Sequence, residues 1–151
     1  MSQHGEGIDL DTSLGYLLKE ASSALRTAME SVLRPLGMTM TQYSCLELLA
    51  QRPGLSGSEL ARGAFVTRQS MHVLLQALER DGLVSRPAEA PVGKVLPTQL
   101  TAAGRRQLAR ASAAVRGVEV RMTSGMTDDE RAAALRALRS MVDALRSDPA
   151  R

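Results

Sequence analysis

The sequence predicts a mainly α-helical fold carrying one small β-hairpin, an α+β arrangement, and three observations lead there. Aromatic residues are nearly absent, with no Trp, one Phe and two Tyr among 151 residues. The core must then be built from Leu, Val, Met and Ala, which favours helix packing over a β-sandwich. Apolar residues also recur at three- and four-residue steps over most of the chain, the period of an amphipathic helix. One stretch alone, after Gly82, replaces that period with two short extended runs around a Pro- and Gly-containing segment. A chain of this length sits near the usual size of one domain.

Residues 1–12 (MSQHGEGIDLDT) are polar and without period, and read as a flexible tail. Residues 13–151 read as a single domain. Leu14, Leu17, Leu18, Ala21, Leu25, Ala28, Val32 and Leu36 then mark a long first helix ending at Gly37, with Pro35 bending or closing its last turn. Thr39 or Thr41 can cap a second helix, which turns Leu46, Leu49 and Ala50 inward and stops before Pro53-Gly54. Ser56 and Glu59 form the S-x-x-E pattern of a capping box, opening a short helix through SELARGA.

Thr67 can cap the next helix, TRQSMHVLLQALERDGL. One of its faces carries Met71, Leu74, Leu75 and Leu78, and the other Arg68, Gln69, His72, Gln76 and Arg80. The extended runs LVSRP and VLPTQLT follow, limited to edge pairing by Pro87 and Pro97. A long helix resumes at Thr101 with Leu108, Ala111, Val115, Val118 and Met122 on one stripe. Thr127-x-x-Glu130 caps a last helix with Leu135, Leu138, Met141, Val142 and Leu145 as its seam. Long amphipathic helices at both ends have little core of their own to cover them, so their seams are expected to pair with a second copy in a homodimer.

The net charge of +3 is unevenly placed. Residues 1–57 carry four basic and six acidic side chains, residues 58–110 eight and four, and residues 111–151 seven and six. The positive excess lies in the middle third, where an anionic partner would need it. The single cysteine, Cys45, excludes an internal disulfide, and among apolar neighbours it reads as a small hydrophobe rather than a redox sensor. No apolar stretch is long enough to span a bilayer and no leader pattern opens the chain, so a cytoplasmic location is expected. The only histidines are His4 and His72, and His72 has no second ligand at metal-binding spacing. Neither a metal site, a cofactor loop nor a catalytic constellation can be assembled, and no enzyme is expected.

A short helix, a tight connection and a second helix with a polar start make a helix-turn-helix, and a hairpin directly behind it makes a winged one. The second helix must be anchored by its apolar stripe so that its N-terminal polar residues reach base edges in a groove about 12 Å wide. Arg68 can pair bidentately with guanine and Gln69 with adenine, or either can hold a phosphate, which positions without specifying.

The run GLSGSELARGAFVTRQSMHVLLQALERDGLVSR, with LTAAGRR after the hairpin, resembles the winged helix-turn-helix core of the MarR family of transcriptional regulators. The likeness extends over about residues 12 to 147. It implies dimerisation helices at 13–37 and 101–147 and a DNA-binding region at 38–100. It further implies a homodimer on a pseudo-palindromic operator of double-stranded DNA, usually as a repressor, with a small-molecule effector that is often aromatic or phenolic in the family. No motif names the pocket residues.

The expected DNA contacts are Thr67, Arg68, Gln69, Ser70, His72, Val73, Gln76, Arg86 and Lys94. Val73 stands where many relatives carry an arginine and offers at most a thymine methyl contact. Arg86 matches a position the family keeps basic, and is expected to brace the wing or meet phosphate. The family's Asp-Arg-Arg run in the wing is replaced by Val92, Gly93 and Lys94, which leaves Lys94 as a point charge without a planar fork. The weak wing and modest net charge also suit a different class, a winged-helix module that docks protein instead of DNA.

Overall fold

A computed structural model describes residues 7–86 and 98–147 of the chain. The order is α1 (Leu14–Leu33), a 3-10 turn (Arg34–Leu36), α2 (Met40–Gln51), α3 (Gly57–Gly63), α4 (Arg68–Arg80), β1 (Val84–Ser85), β2 (Gln99–Leu100), α5 (Ala102–Met122) and α6 (Asp128–Arg146). The mainly helical fold with a small two-stranded wing is therefore as expected. Two compact units divide the chain, residues 1–116 and 117–151.

Each helix of the first unit begins where a side chain can satisfy an orphan backbone donor. Ser13 accepts from Tyr16 N at the start of α1. Thr39, not Thr41, caps α2, and Gln42 closes the box by accepting from Thr39 N at 2.9 Å. Ser56 and Glu59 do the same for α3. Pro35 lies in the 3-10 turn that tightens the end of α1, and the chain leaves it through Gly37.

The core of this unit is built from Leu33, Cys45, Leu46, Leu60, Met71, Leu75 and Leu78, all fully buried. It lacks polar burial: no buried side-chain nitrogen or oxygen among the described residues is without a partner. Two expectations of inward residues fail. Ala50 is exposed, because α2 turns Cys45 to the inside instead. On α1 the buried residues are Met29 and Leu33, one position off the stripe read from sequence, while Leu14, Leu17 and Leu18 are exposed. The helix carries two adjacent apolar stripes, and the one nearer the N-terminus is exposed among the described residues.

The wing is anchored by a compact set of bonds between its base and the start of α5. Val84 pairs with Leu100 and Ser85 with Gln99, antiparallel. Gly82 adopts φ 75°, where a side chain would be strained, and turns the chain out of α4. Thr101 then donates through Oγ1 to Gly82 O at 2.6 Å, and its backbone N–H donates to Leu83 O at 3.1 Å. Its hydroxyl in turn accepts from Gly104 N at 3.0 Å. The two sequence patterns around Gly82 and Thr101 are thus the two halves of one joint.

In the second unit α6 is capped by Thr127 and Glu130 as expected. Its seam is uncovered: Leu135, Leu138, Val142 and Leu145 are exposed, Leu145 by 86%. No helix among the described residues is long and apolar enough to cross a membrane.

Candidate nucleic-acid interface

The helix α4 is held by a buried stripe and presents the opposite side to solvent. Met71, Leu75 and Leu78 are buried, with Met71 Sδ 3.8 Å from Cys45 Sγ. Arg68, Gln69, Ser70, His72, Val73 and Gln76 are all exposed. At about 100° per residue the exposed set divides. Gln69, Val73 and Gln76 fall within an arc of about 60° facing directly away from the buried stripe. Arg68 and His72, one turn apart, lie on the flank beside Leu75, and Ser70 lies on the other flank.

That first flank faces a cleft of about 460 Å³ lined by Arg68, Gln69, His72 and Leu75 of α4, by Ser56, Gly57 and Ser58 at the start of α3, and by Arg86 after β1. Four of the nine expected contact residues are therefore brought into one concavity. Among the described residues no carboxylate lines it and no ion pair engages Arg68 or Arg86. Ser56, Gly57 and Ser58 were missed by sequence reasoning. The capping box at Ser56 and Glu59 marked a helix start, but nothing in the sequence placed that start beside Arg68.

Thr67 makes the cap expected of it. Its Oγ1 accepts from Ser70 N at 3.0 Å and donates to Ser70 Oγ at 2.9 Å. Thr67 is exposed and caps the start of α4. Lys94 lies outside the described residues.

The turn between α3 and α4 carries an unusual residue. Phe65, the chain's only phenylalanine, has φ 60° and is 84% exposed. A left-handed conformation is uncommon for a bulky residue and costs about 1–2 kcal/mol. Phe65 borders a second cleft, of about 560 Å³, with Lys19 and Arg26 of α1 and Met40 and Ser44 of α2 on its walls.

Cys45 is buried, and burial pushes its thiol up to about 11. A thiol so far from ionising is a packing group. Partial burial also pushes the Glu47 carboxyl up. Hydrogen bonds from Gln51, Ser112 and Tyr43, with the Arg116 guanidinium, outweigh this and hold it below the usual range. The Ser112 hydroxyl donates to Glu47 at 2.8 Å, tying α2 to α5.

Residues 36–94 match the MarR family. Over 142 residues the chain is 42% identical to HTH-type transcriptional repressor Rv2887 of Mycobacterium tuberculosis, covering 94% of this chain and 99% of that one. The chain belongs to the MarR family. Its fold is correspondingly close to solved structures of the same relative. The complex of Rv2887 with DNA gives a TM-score of 0.70 at 40% identity, covering 91% of this chain and all of that one. The complex with salicylic acid gives 0.72 at 42% identity, covering 87% and 97%. The mostly helical chain with its small β1–β2 sheet has the winged-helix fold of that family.

Proposed function

We propose that this MarR-family chain is a homodimeric transcriptional repressor that binds a pseudo-palindromic operator through α4 and is released by a small aromatic acid. One observation carries the DNA reading: α4 turns Gln69, Val73 and Gln76 away from its buried stripe, while Arg68, His72 and Arg86, with Gln69 beside them, line a flanking cleft that holds no carboxylate among the described residues. Outward residues are placed to meet base edges, and the flanking cations to meet phosphate. Ser70 borders the opposite flank, and Thr67 holds the helix start. The DNA complex of Rv2887 supports the same use of the fold. The exposed stripes of α1 and α6 support a dimer, whose half-sites would lie about one helical turn apart. A protein acting on the chromosome in this way works in the cytoplasm, by binding and not by catalysis.

The effector site we assign is the cleft walled by Lys19, Arg26 and Phe65. Among the described residues its walls carry cations, hydroxyls and apolar groups and no carboxylate, which suits an aromatic carboxylate, and its size is that of a small-molecule site. Rv2887 in complex with salicylic acid supports the ligand class. Because Phe65 belongs to the turn that enters α4, a ligand there would bias how α4 is presented.

The test is selection of bound genomic fragments, followed by titration of the recovered operator and of a random duplex at rising salt. Arg68→Ala is expected to weaken both duplexes equally, and Gln69→Ala to weaken the operator by about 1–3 kcal/mol with little effect on the random duplex. Salicylate is expected to release the operator from the wild type and much less from Lys19→Ala/Arg26→Ala. Absence of binding to any duplex at low salt would instead favour the protein-docking module.

A further inference from the structure

We propose that the hydroxyl of Thr101 is a positioning group for the DNA interface: by donating to Gly82 O it sets the direction of β1 and so places Arg86 against a phosphate. The inference rests on the DNA reading above and deepens it by naming the residue through which Arg86 acts.

The argument starts where α4 ends. Leu83 N donates to Leu78 O at 2.9 Å and Gly82 N to Glu79 O at 3.0 Å, with Gly82 in the left-handed conformation at φ 75°. The chain then leaves along β1, and Arg86 follows that strand directly. The ladder of Val84 with Leu100 and Ser85 with Gln99 ties the two strands to each other, and not to α4. Thr101, directly after β2, ties the returning strand to the exit of α4. Its N–H donates to Leu83 O at 3.1 Å and its Oγ1 to Gly82 O at 2.6 Å. The same Oγ1 accepts from Gly104 N at 3.0 Å. The end of α4, the base of the wing and the start of α5 thus meet on one hydroxyl.

A hydroxyl that only opened α5 would need only to accept, as those of Ser13 and Ser56 do for their helices. Gly82 O is a carbonyl, so Thr101 donates to it, across 19 residues of sequence. Such a bond is directional, and at the surface it adds only modestly to stability. Its consequence is an angle. From Gly82 to Arg86 is four residues, about 13 Å of extended chain, so a tilt of about 10° at Gly82 moves Arg86 by about 2 Å. That displacement is enough to break a hydrogen bond to phosphate. Arg86 lines the cleft with Arg68 and His72, whereas Thr101 does not line it.

The experiment titrates the full-length protein with a labelled random duplex at a series of salt concentrations. Urea unfolding at the same protein concentration establishes that each variant is folded under those conditions. Thr101→Val keeps the shape of the side chain and removes the hydroxyl. It is expected to weaken binding at low salt by about tenfold, the equivalent of one charge-assisted hydrogen bond. Although no charge is removed, the slope of log affinity against log salt should fall by as much as it does in Arg86→Ala. Thr101→Ser should restore both. Thr101→Gly, which opens a helix nearly as well as Thr but has no proton to donate, should behave as Thr101→Val, and carries the same comparison if the valine variant does not fold. In an Arg86→Ala background, Thr101→Val should cost little more. A wild-type salt slope in Thr101→Val, losses that add in full to those of Arg86→Ala, wild-type binding by Thr101→Gly, or no rescue by Thr101→Ser overturns the proposal. An unchanged slope in Arg86→Ala overturns it by removing the contact that Thr101 would place. Absence of wild-type binding to any duplex at low salt removes the DNA reading itself, and the proposal with it.

Discussion

Replacing Gly104 by Ala sets two effects of opposite sign against each other, and the structure decides between them. Gly104 is the third residue of α5, and within a helix Ala is favoured over Gly by about 0.5–1 kcal/mol. A Cβ at this position would lie 2.0 Å from Leu83 O, 3.0 Å from Leu83 C and 3.3 Å from Leu100 Cδ2. Carbon and oxygen atoms rest at about 3.3 Å or more, so the carbonyl must retreat by over an ångström. That carbonyl is backbone and holds Thr101 N at 3.1 Å. Overpacking costs about 1–3 kcal/mol and the weakened hydrogen bond about 1 kcal/mol, which exceed the propensity gain. Gly104→Ala is expected to destabilise by about 2–3 kcal/mol, read from urea unfolding at fixed protein concentration. Gly117→Ala in the same helix, with no atom within 4 Å of its Cβ, is expected to stabilise by about 0.5–1 kcal/mol. A Gly104→Ala protein as stable as wild type would refute the close-approach argument. It would also detach the wing base, and so Arg86, from the account of how the site is positioned.

Other substitutions test the turn, the thiol and the link between α2 and α5. Phe65→Gly relieves the left-handed strain while losing few contacts, so the midpoint of thermal unfolding should rise by the equivalent of about 0.5–1 kcal/mol. The same change should raise the salicylate concentration needed to release DNA, since a wall of the cleft is gone. Cys45 should resist thiol reagents at neutral pH in the native state and react at once in denaturant; rapid native labelling would contradict its burial. Glu47, with its carboxyl held low, contributes stability that is present above the usual carboxylate range and is lost as pH falls through its folded value. Glu47→Gln should therefore lower stability near neutral pH by under about 1 kcal/mol and flatten the acid limb of the stability profile below about pH 4.5. An unchanged acid limb would show that Ser112 and Gln51 do not favour the charged form.

The elements of the fold were legible because their signals are local. Caps at Thr39, Ser56, Thr67 and Thr127 and stripes of period 3.6 depend on residues three or four apart, and the structure follows them. What the sequence could not separate was two apolar stripes on one helix. In α1 the exposed leucines and the buried Met29 and Leu33 are neighbours in period, and only packing tells which one the chain covers itself. The candidate site shows the same limit. The identity of its α4 residues could be read, but the cleft joining Arg68 and His72 to Ser56 and Arg86 depends on how α3 and the wing base pack against α4. No spacing along the chain encodes that. Thr67 lies on the legible side of that limit, its cap on Ser70 N being a contact three residues along the chain.

The division of α4 leads to a statement about the operator itself. Arginine paired bidentately with guanine is the commonest specific contact in the major groove, and the first two turns of this helix carry no arginine on the outward face; Arg80, which shares that face, lies in the last turn. Arg68 lies toward the cleft, and Val73 occupies the outward position with 59% of its surface exposed. On the proposed DNA reading, Gln69, Val73 and Gln76 are the residues left to meet the bases. Glutamine pairs best with the N6 and N7 of adenine, and an apolar side chain favours the thymine methyl. We therefore expect the base pairs facing α4 in each half-site to be predominantly A·T, with substitution of one of them by G·C costing about 1–3 kcal/mol. Selection from a randomised duplex library gives the preference directly, without assuming any natural target. Enrichment of guanine at the positions facing α4 would return Arg68 to the bases. Loss of that guanine preference in Arg68→Ala would then show that the side chain swings out of the cleft when DNA arrives.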